Sequence, residues 1–461
     1  MSTYLTNYWS LYRDFVETFN QLSFRKIPIV LLTNFYQQIN EELKTKMEKE
    51  EFQAGLRFPV MEQRRIQPYF EEILGEGSFR RLAGGKTLIV SDYTRIPEQT
   101  YSQVFDSKET MILTRSKKTE IYGIPTVCMR IYEENDEQAV IELTTQATAI
   151  FEQFKTHVAF GNEVFQQTFL KRIPLIVKAI CSAINLFDHV KISAVIVGTT
   201  EDMLSRALSI VGSMRGIKSI CLQHGILMGE EAFMPVFTTL VGVYGEYERK
   251  WYEQRGVSIE RIAQIGHPKF DEIFTHSPSD KATFFEKIGL DPDKLTLLVI
   301  TGPNLDQVKF EELIKNIAGH SFQLLIKPHP WEMGKGKYQT YLNLEQTNKA
   351  IKVYTSRENN LYDLLSHVDG VVSSLSTVAL ESILFNVPVF LFNFLFSNRT
   401  YDYFDSFGAY IQDDPDVLSD ILNQYYLSSE EREKYQEARE RYVTDSKNDG
   451  LSGQRLVNLM K

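Results

Sequence analysis

The feature that most constrains the fold of this chain is a series of short apolar runs separated by helical patterns. The runs are rich in Val, Ile and Leu and do not alternate with polar residues, which is typical of strands buried on both faces of a parallel sheet. Such strands, alternating with amphipathic helices, predict an α/β fold with doubly wound sheets. The first series of predicted strands comprises residues 27–32, 87–91, 110–114, 193–198, 218–222 and 239–243. The second series comprises residues 295–300, 322–326, 351–354, 370–372 and 387–391.

A short polar segment with a proline, residues 275–280, separates the two series. We therefore expect two Rossmann-like lobes with a ligand-binding cleft between them. The N-terminal lobe would span residues 1–275 and the C-terminal lobe residues 276–445. A Gly-rich turn then precedes a last helix within residues 446–461, which we expect to pack back on the N-terminal lobe.

Residues 7–24 carry apolar and aromatic side chains at helical spacing, which predicts an amphipathic helix. We expect this helix to pack on the first lobe. The alternative is a position on a membrane surface. The segment contains Asp14 and Glu17, however, and lacks the Lys/Arg-rich face that is typical of surface-bound helices.

Composition argues against several classes of protein. The net charge is −10, and no basic run contains interleaved aromatic residues, so we expect no nucleic-acid binding. The three cysteines, Cys128, Cys181 and Cys221, form no CxxC motif, which favours reduced thiols and a cytoplasmic protein. We find no signal-peptide pattern, and no stretch reaches the roughly 18 uncharged apolar residues of a membrane span.

Hydroxyl side chains follow the predicted strand at residues 370–372, directly before a predicted helix. They are Ser373, Ser374, Ser376 and Thr377. The first N–H groups of a helix are unpaired and the positive end of its dipole attracts anions, so this segment is a candidate phosphate site. Ser and Thr are also common helix N-caps, and the sequence alone leaves that structural interpretation open.

Lys327 and His329 end the apolar run at residues 322–326, which we expect to lie beside the serine-terminated strand. The two strand ends would then offer hydroxyls, amides, a His and a Lys where open parallel sheets bind ligands. A His near a phosphate can bind the anion or donate a proton to the leaving group. Glu381 lies seven residues after Ser374. Its carboxylate would either accept hydrogen bonds from a ribose diol or lie on the helix surface.

The first lobe offers His224 and His267 at its predicted strand ends, each beside a glycine or a proline. His224 is the stronger candidate for catalysis. Transfer to an alcohol also needs a general base, for which the acidic candidates are Asp92, Glu201 and Asp202. Carboxylates at helix starts are also common for structural reasons. No Asp-x-Asp pair stands at a strand end beside the candidate nucleotide site, so a metal-dependent mechanism is not indicated.

Residues 190–461 resemble bacterial surface-polysaccharide transferases of the GT-B type. The motifs are Gln223-His224-Gly225, Gly266-His267-Pro268, Lys327-Pro328-His329-Pro330, Ser373-Ser374 with Glu381, and Asp449-Gly450 with Arg455. A His-Pro motif followed by a serine pair is similar to families with cytidine-nucleotide donors. These are the CDP-glycerol glycerophosphotransferases of teichoic-acid synthesis and the capsule sialyl- and Kdo-transferases.

The resemblance implies that His329, Ser373 and Ser374 contact the donor phosphate. It also implies that Glu381 binds the nucleotide ribose and that His224 contributes to catalysis. The chain departs from both families. Ile-Leu follows the His224-Gly225 pair where glycerophosphotransferases usually have Thr-Pro, and the acidic motif of the sialyltransferases is absent from the sequence. The choice between a sugar and a polyol phosphate as the transferred group therefore stays open.

We expect an inverting, metal-independent transferase that needs no cofactor and whose C-terminal lobe binds a cytidine-activated donor. The N-terminal lobe would bind a glycan or lipid-linked glycan acceptor, in the cytoplasm or at the inner face of the cell membrane. Two alternatives stay open. One is a UDP-sugar 2-epimerase, which needs acidic groups for proton abstraction, and the other is a non-catalytic glycan-binding subunit.

Overall fold

The computed structural model describes residues 1–75, 79, 82, 84–302, 305–318, 322–356, 361–394 and 402–461. The chain divides into two compact units. Unit 1 comprises Met1–Lys269 and Leu451–Lys461, and unit 2 comprises Phe270–Gly450. The end of the chain therefore belongs to the same unit as its beginning.

Unit 1 contains eight helices before residue 270 in its described part, and its strands form one hairpin and one sheet. The helices are α1 (Thr3–Phe19), α2 (Glu41–Met47), α3 (Ile66–Leu74), α4 (Glu98–Val104), α5 (Glu137–Gln153), α6 (Glu163–His189), α7 (Met203–Met214) and α8 (Glu246–Glu253). The strands are β1 (Ser23–Phe24), β2 (Ile27–Pro28), β3 (Lys86–Val90), β4 (Thr110–Thr114), β5 (Glu120–Ile121), β6 (Ile124–Cys128), β7 (Ile192–Val197), β8 (Lys218–Leu222), β9 (Leu240–Val243) and β10 (Ile262–Gln264).

The sheet of unit 1 runs in the order β10-β9-β8-β7-β3-β4-β6-β5, and all its pairings are parallel except that of β5 with β6. The strand that begins the parallel series, β3, lies inside the sheet, and the chain reverses direction across the sheet between β3 and β7. This is the topological switch point of a doubly wound sheet. There the loop after β3 approaches the end of β7 so closely that a Cβ at Gly198 would lie 2.2 Å from the Tyr93 carbonyl carbon.

Helix α1 forms part of the core of unit 1. Its aromatic side chains, Trp9, Tyr12, Phe15 and Phe19 among them, are buried in the main hydrophobic cluster. The Trp9 indole N–H donates to the carboxylate of Glu230. The predicted amphipathic helix and its packing on the first lobe are confirmed, with the helix beginning at Thr3 and ending at Phe19. The aromatic face is therefore not available to a membrane surface.

The predicted strand at residues 27–32 is wrong. Only Ile27 and Pro28 pair as a strand, and Ile29–Leu32 forms a 3₁₀ helix. These four residues are all buried, and a short buried run has the same apolar pattern whether it is a strand or a helical turn. Pro28 also lacks the N–H group that a continuing ladder would need.

Unit 2 contains a sheet flanked by helices. The helices are α9 (Lys281–Ile288), α10 (Gln307–Ala318), α11 (Pro330–Lys335), α12 (Gln339–Thr347), α13 (Leu361–His367), α14 (Thr377–Leu384), α15 (Pro415–Leu427) and α16 (Ser429–Thr444). The strands are β11 (Leu295–Ile300), β12 (Phe322–Lys327), β13 (Ile351–Val353), β14 (Gly370–Ser374), β15 (Val389–Phe392) and β16 (Ile411–Gln412). The chain ends with α17 (Ser452–Met460), which belongs to unit 1.

All strands of this second sheet are parallel, in the order β13-β12-β11-β14-β15-β16. Its switch point lies between β11 and β14. The predicted α/β architecture with two doubly wound sheets is thereby confirmed. The expectation that β12 and β14 are neighbours is wrong, because β11 lies between them and pairs with both. Among the described helices, none combines the length and the apolar character needed to cross a membrane.

The position of α1 in the core predicts the effect of truncating Leu11, which is 0% exposed. We expect Leu11→Ala to lower the free energy of unfolding of unit 1 by about 2–5 kcal/mol, because it leaves a cavity in a packed core. Leu175→Ala is the matched control in α6, since Leu175 is 56% exposed and its truncation should change stability by less than about 0.5 kcal/mol. Urea unfolding of the full chain checks both. Equal losses in the two variants would contradict the burial of α1.

Candidate functional site

The chain turns sharply where β12 ends in unit 2. His329 is the N-cap residue of α11, and its Nδ1 accepts the N–H of Trp331 at 3.2 Å. Because Nδ1 is an acceptor, a neutral ring carries its proton on Nε2. Burial lowers the pKa of His329, and Nε2 makes no hydrogen bond to any described residue. The neutral imidazole therefore has an N–H group ready for a ligand.

A buried carboxylate, Glu332, holds this turn in place. It is 3% exposed and accepts hydrogen bonds from the N–H of His329 at 3.0 Å and from the Tyr341 hydroxyl at 2.7 Å. The Thr301 hydroxyl also donates to it, and Thr301 Oγ1 lies 3.1 Å from the His329 nitrogen. Glu332 thus ties the end of β11 to the end of β12.

Sequence reasoning missed Glu332, Thr301 and Tyr341. The signal for Glu332 was present, because a Glu three residues after an N-cap residue is the pattern of a capping box, which the structure contains. No local pattern points to Thr301 or Tyr341, since they meet Glu332 only in the folded unit.

Lys327 supplies a cation beside this turn. Its side chain is half-buried, with Nζ 5.0 Å from the centroid of the Tyr354 ring. It forms no ion pair with a described residue, and burial lowers its pKa. A partly desolvated ammonium without a carboxylate partner is stabilised by a bound anion.

The start of α14 lacks the side-chain hydrogen bond of a conventional N-cap. Ser376 occupies the N-cap position, but its side chain makes no capping hydrogen bond and instead lies 3.1 Å from Ser373 Oγ. The N–H groups of Thr377 and Val378 make no hydrogen bond to a described residue. The helix start therefore keeps its anion-binding donors, which a conventional cap would have used.

The paired serines have different environments. Ser373 is fully buried, and its hydroxyl donates to the carbonyl of Ser374, so it shapes the turn. Ser374 is 4% exposed, and its hydroxyl makes no hydrogen bond to a described residue. A Cβ at Gly302 would lie 3.0 Å from Ser374 Oγ, so the glycine keeps the space beside this hydroxyl open. Gly302 and Ser374 flank the switch point of unit 2.

Glu381 lies on α14 and is 2% exposed, so the surface interpretation of this residue is wrong. The Tyr362 hydroxyl donates to its carboxylate at 3.2 Å. Burial and the neighbouring Glu381 charge raise the pKa of Tyr362, which keeps that hydroxyl protonated.

His224 follows β8 in unit 1. Its ring stacks on Phe233 at 4.8 Å, and its Nε2 lies 3.9 Å from the Glu201 carboxylate. Burial lowers the pKa of His224 to about 4, and the Arg95 charge acts in the same direction. Burial raises the pKa of Glu201. His224 is therefore neutral at pH 7 and next to a carboxylate that can orient it.

The other candidates of unit 1 have structural roles or no described contact. Asp202 caps α7 by accepting the Ser205 N–H at 2.9 Å. His267 is buried, and its Nδ1 accepts the Lys269 N–H at 2.9 Å. Asp92 is exposed. Among the described residues, no group of three or more His, Cys, Asp or Glu side chains could hold a metal ion.

The Glu332 contacts predict that Glu332→Gln is destabilising. The amide has one acceptor oxygen and adds an NH₂ group where donors converge, so we expect a loss of about 1–3 kcal/mol in the free energy of unfolding of unit 2. Glu437→Gln, on the exposed side of α16, is the matched control. Urea unfolding compares the two variants. An equal stability of both would contradict the anchoring role of Glu332.

The depressed pKa of His224 predicts a pH dependence of stability. Between about pH 4 and pH 6.5 the unfolded chain binds a proton at this residue that the folded chain excludes, so the stabilisation is complete above that window and lost as pH falls through it. We expect the free energy of unfolding of His224→Gln to fall less steeply there, by up to about 1.4 kcal/mol per pH unit. Urea unfolding at several pH values measures this. His189→Gln, at an exposed position, should keep the wild-type slope.

Comparison with known proteins indicates the class of the protein. Residues 240–461, just under half of the chain, match the model of the family described as CDP-glycerol:poly(glycerophosphate) glycerophosphotransferase. The matched segment contains all of unit 2 and α17. No curated protein matches the chain in sequence.

Solved structures support the fold. The S. aureus MnaA–UDP structure aligns with a TM-score of 0.51 at 12% identity, covering 82% of this chain and 96% of that chain. A Listeria monocytogenes protein described as a candidate UDP-N-acetylglucosamine 2-epimerase aligns with a TM-score of 0.50 at 12% identity, covering 81% and 94%. The wall teichoic acid polymerase TagF aligns at 0.46 and 12% identity over 81% and 88%, which by itself supports no conclusion.

At these identities the structural similarity shows the fold alone, and the family match carries the functional class. The resemblance to surface-polysaccharide transferases of the GT-B type is confirmed. Through the match over residues 240–461, this chain is a glycerophosphotransferase-like enzyme.

Proposed function

We propose that unit 2 binds a cytidine-nucleotide-activated donor and that the chain transfers a polyol phosphate from this donor to an acceptor hydroxyl. The observation that carries the proposal is the uncapped start of α14 beside the unpaired Ser374 hydroxyl, inside the segment that matches the family model. Lys327 and the His329 Nε2–H supply two further groups that favour an anion. A pyrophosphate-linked donor fits such a site better than a neutral ligand does.

The proposed reaction needs no cofactor. The acceptor oxygen forms a bond to the β-phosphorus of the donor, the bond from that phosphorus to the bridging oxygen breaks, and CMP leaves. His224 is the proposed base for the acceptor proton, with Glu201 beside it. His329 donates to the leaving phosphate. Lys327, the α14 N–H groups and Ser374 stabilise the developing charge by preorganised electrostatics, which replaces a metal ion in the proposal.

Nucleotide binding to the purified full chain, with a chelator present, tests the donor. We expect CMP and CDP to raise the melting temperature more than UMP, UDP or GDP, because a ligand that binds only the folded state stabilises it by RT ln(1 + [L]/Kd). A shift confined to UDP would favour a UDP-sugar enzyme such as a 2-epimerase, the second candidate. No shift with any nucleotide would favour a non-catalytic subunit and overturn the proposal.

The roles of two serines in the same segment give a sharper prediction. We expect Ser374→Ala to weaken CDP binding about 10- to 100-fold, because it removes a hydrogen bond to a charged group. Ser382→Ala is the matched control, since its hydroxyl donates to the Val378 carbonyl at 2.8 Å within α14. Calorimetric titration measures both affinities. Equal affinities in the two variants would remove Ser374 from the donor site.

A further inference from the structure

A cavity of about 470 Å³ lies beside the carboxyl ends of β3 and β4 in unit 1 and is not used by any step proposed above. Its polar and aromatic lining includes Ser91, Arg95, Tyr101, Lys118, Glu120 and Tyr122. The volume is within the range of about 300–1,000 Å³ that is usual for small-molecule sites. The position is also usual, because open α/β sheets bind ligands outside the carboxyl ends of their strands.

The charges on the cavity wall favour an anion. Arg95 and Lys118 both line it, and neither forms an ion pair with a described residue. Glu120 is the carboxylate of the lining and is likewise unpaired there. The wall therefore carries an excess of positive charge in a chain whose net charge is −10. Such a local reversal of sign attracts anionic ligands to one place on the surface.

The backbone has an uncommon conformation in the two loops beside the cavity. Tyr93, Arg95 and Tyr122 have φ angles of 63°, 49° and 51°, in the left-handed region that residues other than glycine rarely adopt. The close packing of Gly198 against Tyr93 fixes the loop that carries Arg95. Strained conformations of this kind persist where the surrounding structure determines them, and they cluster at ligand sites.

The cavity also has an aromatic wall. The rings of Tyr101 and Tyr122 stack with centroids 5.6 Å apart and an interplanar angle of 29°. Tyr101 is buried, which raises the pKa of its hydroxyl to about 12, so it remains protonated at neutral pH. An apolar ring surface beside two cations suits a ligand that alternates carbon units with phosphates.

Arg95 connects the cavity to the candidate base. Its charge lowers the pKa values of both His224 and His267, which places the guanidinium within electrostatic reach of the two imidazoles. Arg95 follows β3 and His224 follows β8, so both lie at the carboxyl edge of the same parallel strands of the sheet.

We propose that this cavity is a phosphate subsite for the acceptor, in which Arg95 and Lys118 bind a phosphodiester at a distance from the hydroxyl that reacts. The inference rests on the proposed function, in that the acceptor is a phosphodiester-linked polyol chain. The cavity would recognise phosphodiester units of the acceptor that do not take part in the reaction. The enzyme would then prefer acceptors that already carry polyol phosphate units over a single unit.

The test measures binding of a fluorescently labelled synthetic oligomer of glycerol phosphate to the full chain without nucleotide. Fluorescence anisotropy of the labelled oligomer gives the affinity. We expect Arg95→Met and Lys118→Met each to weaken oligomer binding about 10-fold, since each removes a charge-assisted contact to phosphate. Lys117→Met is the matched control, because Lys117 is an exposed neighbour outside the cavity lining. It should keep the wild-type affinity.

The CDP-induced rise in melting temperature is measured on every variant and separates this inference from the proposed donor. A normal CDP shift with no oligomer binding, or with equal oligomer binding in wild type and the Arg95→Met/Lys118→Met double variant, overturns the subsite alone. Loss of oligomer binding in the double variant supports the subsite even if CDP gives no shift. Inorganic phosphate and phosphatidylglycerol vesicles are titrated in parallel. If binding of phosphate or of the vesicles depends on Arg95 and Lys118 while the oligomer does not bind, the cavity is a site for free phosphate or for a lipid surface. That result overturns the proposal.

Discussion

The parallel direction of neighbouring strands is the constraint on which every candidate site in this protein depends, because it brings the carboxyl ends of those strands to one edge of the sheet. Both units place their first parallel strand inside the sheet, so each has a switch point where consecutive loops diverge. The two switch points are not equivalent. In unit 2, Gly302 leaves space beside the Ser374 hydroxyl, whereas in unit 1 Gly198 packs directly against Tyr93. The groups available to a ligand in unit 1 therefore lie on either side of the switch point, at His224 and at the Arg95 cavity.

The sequence predicts the central strands well because their environment is local and uniform. The strand Leu295–Ile300 is buried from Thr296 onward, and the apolar run at its end, residues 297–300, indicates that burial. Short strands such as Ile262–Gln264 and Ile411–Gln412 escaped prediction, since an edge strand is defined by pairing with one neighbour and not by its own residues. The spatial neighbours of a strand are equally invisible in the sequence. The chain leaves β13 at one edge of the sheet and enters β14 beside β11, and no residue pattern within these strands indicates that change of side.

In the candidate site, too, the features with local sequence signals were predictable and the contacts between distant segments were not. The hydroxyl cluster and His329 were predictable because strand ends, prolines and helix starts leave signals within a few residues. The network of Glu332 with Thr301 and Tyr341 joins three segments that are distant in sequence, so only its capping-box part was visible. The difference between Ser373 and Ser374 was not predictable either. It depends on which hydroxyl turns back to the backbone once the strand has ended.

The buried Glu332 carboxylate places a negative charge beside the proposed anion site. Its carboxylate oxygens accept three hydrogen bonds, one of them from the His329 backbone N–H. Burial lowers the pKa of His329, and the neighbouring Glu332 charge acts in the opposite direction. An approaching phosphate acts in the same direction as Glu332. In the proposed site the phosphate would accept a hydrogen bond from the His329 Nε2–H, while Nδ1 keeps the N–H of Trp331.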